Sequence, residues 1–517
     1  VTFDEYIQLD NVMANLLISP PMQHTPEVKA RGKRLLIHFA DTLLPNTTYT
    51  LDFGNAVCDF REKVPLAGFS YCFSTGDEID TLAYTGHVYD ASTLNPMQGI
   101  LVGIHRDTSD TAFTQLPFLR ISKTDTTGFF RIGNIHEGTY RLYAVDDIGR
   151  DYRLTPGEAL AFASEHISIP ADSAATGQLL LFREEQQKLY LQKVLREKQH
   201  CIQLLFSATP DSLPQWQALG DSLNAYTHFS SRHDTVTLWL KDSMSIRQDS
   251  LKLVVRYRYT DSLFHMAWNT DTLRAFWRAP RLNSKMQEHQ ERLRRNRKLD
   301  LKTNARKDFE LNDTLRLTSA TPLVAIDLQA LHLYLYKDSA YTAVPFTLAP
   351  HDSVCMALSF IADLKPGQTY ELRLDSAALQ DLYGTTHPAA KFSLTLKQLE
   401  DYSTLRVKLN PYLPSARIQL LDKKDNILRE LPADEAGAFF QYLKPDTYYM
   451  RLYIDENNDG QWTTGSWAEH RQPEPIYYFP GNIQTKSNWD FEEEWNYLAA
   501  PQFEAKPKEL IPAAKKK

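Results

Sequence analysis

Six residues near the C-terminal end have the types and spacing to hold a hard cation. Asp455-Glu-Asn457-Asn-Asp459-Gly460 sets carboxylate or amide oxygens at positions one, three and five and a glycine at six, as in an EF-hand-like calcium loop. The twelfth position is Ser466, where a bidentate Glu is required, and Tyr448 to Ile454 reads as a strand, so this is no true EF-hand. Glu469 could substitute only through a longer loop. Two readings stand. One is a calcium site on Asp455, Asn457 and Asp459, the sole cofactor the sequence suggests. The other is an Asx-rich turn whose side chains bond their own backbone, with Gly460 supplying a positive φ. The matching place earlier in the chain, around Asp146, Asp147 and Asp151, lacks the Asn and Gly pattern.

A second group of chemistry-bearing residues is aromatic: Trp462, Trp467, Tyr477, Tyr478, Phe479, Trp489, Phe491 and Trp495. Trp462, Trp467, Tyr478 and Trp489 are the candidates for a sugar-stacking platform or a protein-binding patch, because such rings bring large contact area at small entropic cost. The competing expectation is that most of these rings pack in cores or between modules. Catalytic constellations are absent: there is no G-x-S-x-G elbow, H-E-x-x-H helix, Walker loop or dinucleotide fingerprint. His136-Glu137-Gly138 lacks a second His, and Glu492-Glu493-Glu494 is a run of like charge expected on a solvated face. No nucleophile is nominated, and the chain is expected not to be an enzyme. The basic stretch from Arg292 to Lys307 lacks stacking aromatics in its core, and the net charge is -7, so no nucleic-acid partner is expected.

The elements that must position these residues are strands. Arg34–Phe39, Tyr140–Val145, Thr235–Leu240, Leu251–Tyr257 and Leu331–Tyr336 alternate apolar and polar residues, and 26 Tyr with 25 Phe favour sheets. Turn formers separate them, as in Leu-Pro-Asn-Thr-Thr at 44–48 and Asp-Leu-Tyr-Gly at 381–384. A length of 517 residues exceeds one core and calls for three to five domains of about 100 residues each. The four cysteines are scattered, so no disulfide framework is expected, although Cys58 and Cys72 could face each other on neighbouring strands.

Two internal repeats define modules. Leu44-Pro45 through Tyr49-Thr-Leu51 to Asp59 is echoed by Leu364-Lys-Pro366 through Tyr370-Glu-Leu372 to Asp381. Asp125-Thr-Thr-Gly128-Phe-Phe130 with Gly138-Thr-Tyr140 to Asp147 is echoed by Asp434-Glu-Ala-Gly437-Ala-Phe-Phe440 with Asp446-Thr-Tyr448 to Glu456. The expected fold is all-β, a series of tandem β-sandwich domains at 1–79, 80–175, 176–277, 309–397 and 398–497. A short charged, flexible or helical linker is expected at 278–308, a short helix in the charged stretch 183–200, and a disordered tail at 498–517.

Thr2-Phe3-Asp4-Glu5-Tyr6, Ile18-Ser19-Pro20, Leu44-Pro45-Asn46-Thr47-Thr48-Tyr49 and Phe73-Ser74-Thr75-Gly76, in that order, resemble the S-layer-type bacterial Ig-like domain. Thr85-Gly86-His-Val88-Tyr-Asp90 through Gly138-Thr-Tyr140 resembles a carboxypeptidase-regulatory, prealbumin-like domain. In this order the two resemble the Ig-like-domain lipoproteins of the Bacteroidota. That resemblance implies Ig-like modules at 1–79 and 309–397, prealbumin-like modules at 80–175 and 398–497, and a third sandwich of unassigned family. It also implies an exported outer-membrane lipoprotein, surface-exposed and held by an acylated N-terminal cysteine that this sequence does not contain. Its implied role is a structural or interaction subunit beside an outer-membrane β-barrel protein and other envelope lipoproteins, in barrel assembly or transport. The alternative expectation is a surface glycan-binding protein that uses the C-terminal aromatics, with or without calcium.

Overall fold

The computed structural model describes residues 1–106, 109, 111–170, 177–184, 188–210, 212–219, 223–230, 233–261, 266–278 and 297–512. Nearly every element is a strand, and the strands form tandem sandwiches. Alternation makes them. In Ser250–Thr260 the side chains of Leu251, Leu253, Val255 and Tyr257 are buried while Lys252 and Arg256 face solvent, so one face carries the apolar area whose burial drives packing. No helix of the described residues is long and apolar enough to cross a membrane.

Both repeats reappear as topology. In the second module, strand Leu82–Asp90 lies between antiparallel Phe129–Ile135 and parallel Gly177–Leu181. In the fifth, Ser403–Leu409 lies between antiparallel Ala438–Leu443 and parallel Asp490–Trp495. The facing sheets match as well, being centred on Gly138–Val145 and Thr447–Ile454. Strand Gly177–Leu181 thus completes a sandwich expected to end at 175.

Tyrosines pin the repeated turns in place. Tyr140 Oη donates to the His136 carbonyl (2.8 Å) and Tyr448 Oη to the Lys444 carbonyl (3.0 Å). In the first and fourth modules the Leu44 N–H donates to Tyr49 Oη (2.9 Å) and the Lys365 N–H to Tyr370 Oη (2.8 Å). Each Tyr→Phe change at 49 or 370 is expected to cost about 1–2 kcal/mol, because a backbone donor beside the core loses its acceptor. Urea unfolding of the two single variants checks this, and a loss below about 0.3 kcal/mol in both would contradict the role.

Three expectations are corrected. Within the charged stretch at 183–200, Leu191–Leu195 is a strand paired with Cys201–Phe206, because Leu191 and Val194 pack against that module's core. Of the linker at 278–308, residues 279–296 lie outside the described residues. Leu301–Thr303 pairs with Leu315–Ser319 and Leu299 is buried, so this end belongs to the fourth sandwich. The tail is ordered from 498 to 512: Ala505, Lys506 and Leu510 are buried, and Phe503 stacks on Tyr89 at 4.7 Å. The four thiols are free, and Cys58 and Cys72 lie in different sheets.

Polar contacts, buried or part-buried, join the first module to the second, the third to the fourth and the fourth to the fifth. The guanidinium of Arg120 donates to the Thr48 carbonyl (2.5 Å), and the Ile121 N–H to Ser19 Oγ (3.1 Å), linking the first two sandwiches. Tyr383 Oη reaches the His200 and Leu240 carbonyls (both 3.2 Å), linking the third and fourth.

Glu310 links the fourth and fifth. It accepts from Lys397 (3.0 Å), Lys444 (2.8 Å) and Tyr402 Oη (2.7 Å). Burial opposes its ionisation, but the bonds from Lys444, Tyr402 and Lys397 outweigh burial and hold its carboxyl down at about 2. The folded value lies below the unfolded one, so the stabilisation is complete above the ordinary Glu range and is lost as pH falls towards about 2. Glu310→Gln is therefore expected to cost about 3 kcal/mol at neutral pH, with the gap to the parent closing in acid. Chemical denaturation at pH 7 and pH 3 checks it, and a gap that stays the same would contradict it.

Candidate functional site

The structure brings Asp455, Asn457 and Asp459 together in the turn after strand Thr447–Ile454, and it shows where their oxygens point. Asp455 is 5% exposed and accepts from the Asp459 N–H (3.1 Å) and the Gly460 N–H (2.9 Å). Asn457 Oδ1 accepts from the Asp459 N–H (2.9 Å), while its amide donates to Asp459 Oδ2 (3.0 Å) and Thr463 Oγ1 (2.8 Å). Asp459 Oδ1 accepts from the Gln461 N–H (2.7 Å). Gly460 has φ +80°, the left-handed region that glycine enters without steric cost.

Glu474, which sequence reasoning missed, closes the loop by accepting from the Glu456 N–H (2.9 Å) and the Thr463 N–H (2.8 Å). Burial pushes its carboxyl above the usual range, with Asp455 adding to the rise. Among the described residues no three His, Cys, Asp or Glu side chains are grouped to hold a metal.

The second module builds the same loop without the Asn and Gly pattern. Asp147 accepts from the N–H groups of Asp151 (3.1 Å) and Tyr152 (3.2 Å), and Glu158 from those of Ile148 (2.9 Å) and Thr155 (3.1 Å). The shared feature is one Asp and one Glu turned onto the loop's own backbone, which makes each loop a rigid brace. Millimolar Ca²⁺ is accordingly expected to leave the unfolding midpoint unchanged, and a rise of about 5 °C at saturation would restore the calcium reading.

Three of the four candidate binding rings face another module. Trp467 packs edge-on against Phe113 (5.3 Å), Tyr143 (5.7 Å) and Phe162 (5.3 Å), all of the second module. Trp462 donates its indole N–H to the Glu474 carbonyl (2.9 Å) and packs with Leu94, Tyr478 and Leu510. Tyr478 is 1% exposed, and its hydroxyl lies 2.9 Å from Asp425 and 3.2 Å from Arg451. Tyr478 is closed off from a sugar, and the half-buried Trp462 and Trp467 are largely taken up by these contacts. Trp489 alone of the four is exposed, with Lys486 over its ring at 5.3 Å.

Together these residues clasp the fifth module onto the second. Arg451 donates to the Ser92 carbonyl (2.8 Å), Thr464 Oγ1 to the Arg183 carbonyl (3.1 Å) and Gln472 to the Phe162 carbonyl (2.9 Å). The tail straps this junction. Lys506 Nζ, fully buried, donates to the Thr93 carbonyl (2.7 Å), Asn95 Oδ1 (2.8 Å) and Asp425 Oδ2 (2.7 Å). Burial lowers the Lys506 pKa, and the Asp425 carboxylate counters part of that.

Outside the clasp, three surfaces among the described residues bear on recognition. On the first module Tyr6, Phe60, Val64 and Leu66 are exposed around one turn, where the Phe60 N–H bonds the Tyr6 carbonyl (2.9 Å) and the Asp59 N–H the Val64 carbonyl (2.9 Å). On the fourth, Arg373 lies over Tyr334 (4.9 Å) and Tyr341 (4.1 Å) and pairs with Glu371, so that face is satisfied internally. The third is a cleft between the third and fourth modules, lined by His228, Phe229, His233, Arg316 and His351, with a volume of about 530 Å³.

The fold defines a protein of tandem β-sandwiches. Residues 1–75 match the family described as Bacterial Ig-like domain. Among solved structures, the chain is similar to the N-terminal part of the bacterial S-layer protein SbsC (12% identity, 33% of this chain and 44% of that one, TM-score 0.18). It is also similar to BcpA, the major pilin subunit of Bacillus cereus (9% identity, 80% and 99% covered, TM-score 0.14). A third likeness is to the Bacteroides ovatus mixed-linkage glucan utilization locus protein SGBP-B, solved with a mixed-linkage heptasaccharide (9% identity, 70% and 89% covered, TM-score 0.18). The chain spans less than half of the SbsC fragment. Scores this low carry no functional argument. No curated protein matches the chain.

Proposed function

We propose that this chain is a non-catalytic structural or interaction subunit of a bacterial cell-envelope complex. In this reading it is a lipid-anchored outer-membrane protein exposed at the cell surface and working beside a β-barrel protein in barrel assembly or transport. The clasp carries the proposal. An enzyme concentrates polar groups in a cleft, whereas this chain uses the buried Lys506 and Arg451 and the half-buried Trp462 and Trp467 to fix modules against one another, leaving outer faces for recognition. The first module supports it, since Tyr6, Phe60, Val64 and Leu66 give an apolar turn of the kind that interface cores use.

Purification of the native protein from membranes in mild detergent tests the proposal. Stoichiometric recovery with a barrel protein, lost in a Phe60→Asp, Val64→Asp variant that keeps its unfolding midpoint, is the expected result. Recovery as a lone monomer at native levels would refute it. Of the four rings on which the glycan reading stood, Trp462, Trp467 and Tyr478 are taken up in packing and Trp489 stays exposed.

A further inference from the structure

We propose that the cleft between the third and fourth modules binds an acidic saccharide, one bearing uronic-acid carboxylates. Its floor is the outer face of the sheet containing Leu315–Ser319 and Ala357–Ile361, where Arg316 sits opposite Ser359 and Thr318 opposite Ala357. One wall is the end of strand Ala225–Phe229 with His228 and Phe229, joined by His233, and His351 also lines the cleft. A second hollow of about 540 Å³ continues along the same floor and shares Arg316 and His351, so the two make one groove. Each part lies in the size range of small-ligand sites.

Two independent observations point to a ligand. Arg316 is exposed and has no ion-pair or side-chain hydrogen-bond partner among the described residues, although carboxylates are near. Those carboxylates are committed elsewhere: Asp352 accepts from the N–H groups of Val354, Met356 and Ala357, and Asp313 pairs with Arg306. The second observation is Ser359, 4% exposed and lining the second hollow, whose Oγ is buried just beneath the groove without a hydrogen-bond partner. A buried hydroxyl left unpaired is costly, and a ligand hydroxyl would satisfy it.

The class of ligand follows from the floor. It is the face of a sheet, and strand Ala357–Ile361 is paired on both sides, so a peptide would find no ladder bonds there. Ala349, Ala357 and Ser359 leave the floor low enough for a sugar ring, the half-buried Phe229 lines the wall beside it, and the Arg316 fork matches a carboxylate. A neutral sugar would leave that fork unused. This site is separate from the apolar turn of the first module, so it stands or falls independently of the barrel partner.

Titration calorimetry of the full chain with a galacturonate tetramer is the test, with a neutral dextran tetramer and a glutamate tetrapeptide as comparisons. Saturable galacturonate binding is expected. It should weaken by about tenfold or more in Arg316→Ala, and in Ser359→Val by a smaller factor, with both variants keeping the parent unfolding midpoint. Absence of saturable binding, equal binding by Arg316→Ala, or tighter binding of the peptide or of dextran would each overturn the proposal. Should Ser359→Val unfold, the Arg316→Ala comparison alone decides.

Discussion

Lys506→Ala is expected to destabilise the clasp by about 3–5 kcal/mol and release the tail from 499 to 512. The cost arises from what remains. Asp425, its side chain 11% exposed, keeps the Tyr478 hydroxyl but loses its cation, and the Thr93 carbonyl and Asn95 Oδ1 lose the donor that tied them to a residue 413 and 411 positions away. Hydrogen exchange reads it directly: amides near Leu510 and Tyr478 should lose protection, while the third module keeps its own. Lys506→Met, which keeps most of the stem, should recover only the packing share, because the charge of Asp425 remains unpaired. Unchanged exchange in both variants would mean that the strap is not held by this ion pair.

Trp467→Ala is expected to cost about 3–5 kcal/mol through the void left among Phe113, Tyr143 and Phe162. The loss should be felt in the second module, although the substitution lies in the fifth. Phe113 and Tyr143 stack at 4.2 Å, and Trp467 stands edge-on to both. Proteolysis or exchange at 112–118 is the readout. A variant with weakened ligand binding and untouched stability would instead return Trp467 to the role of a binding platform.

The sandwiches were legible in the sequence because a sheet with one buried face leaves period-two alternation, and because the repeats place Tyr49 with Tyr370 and Tyr140 with Tyr448 at equivalent turns. The clasp was not legible. A Trp that packs in a core and one that packs on another module have the same neighbours in sequence, so Trp462 and Trp467 carried no mark of their partner. Lys506 sits in a run rich in Pro, Ala and Lys that reads as disordered, and its order depends on acceptors more than 400 residues away. Leu191–Leu195 was obscured by surrounding charges, since Gln192 and Lys193 face solvent while Leu191 and Val194 pack inward. The bracing carboxylates Glu158 and Glu474 lie 11 and 19 residues from the Asp they assist, too far for a turn motif to include them. Arg316 stands out only once the third module is placed beside it.

Small-angle scattering of the intact chain bears most directly on whether the second and fifth modules are joined. A domain of about 100 residues is roughly 35 Å across, so five in an open string would extend to about 170 Å. Modules two to five closed into a circuit, with the first appended, give about 110 Å at most. A maximum dimension near the smaller value is the expected result, and one near the larger would show that the second and fifth sandwiches do not meet in solution.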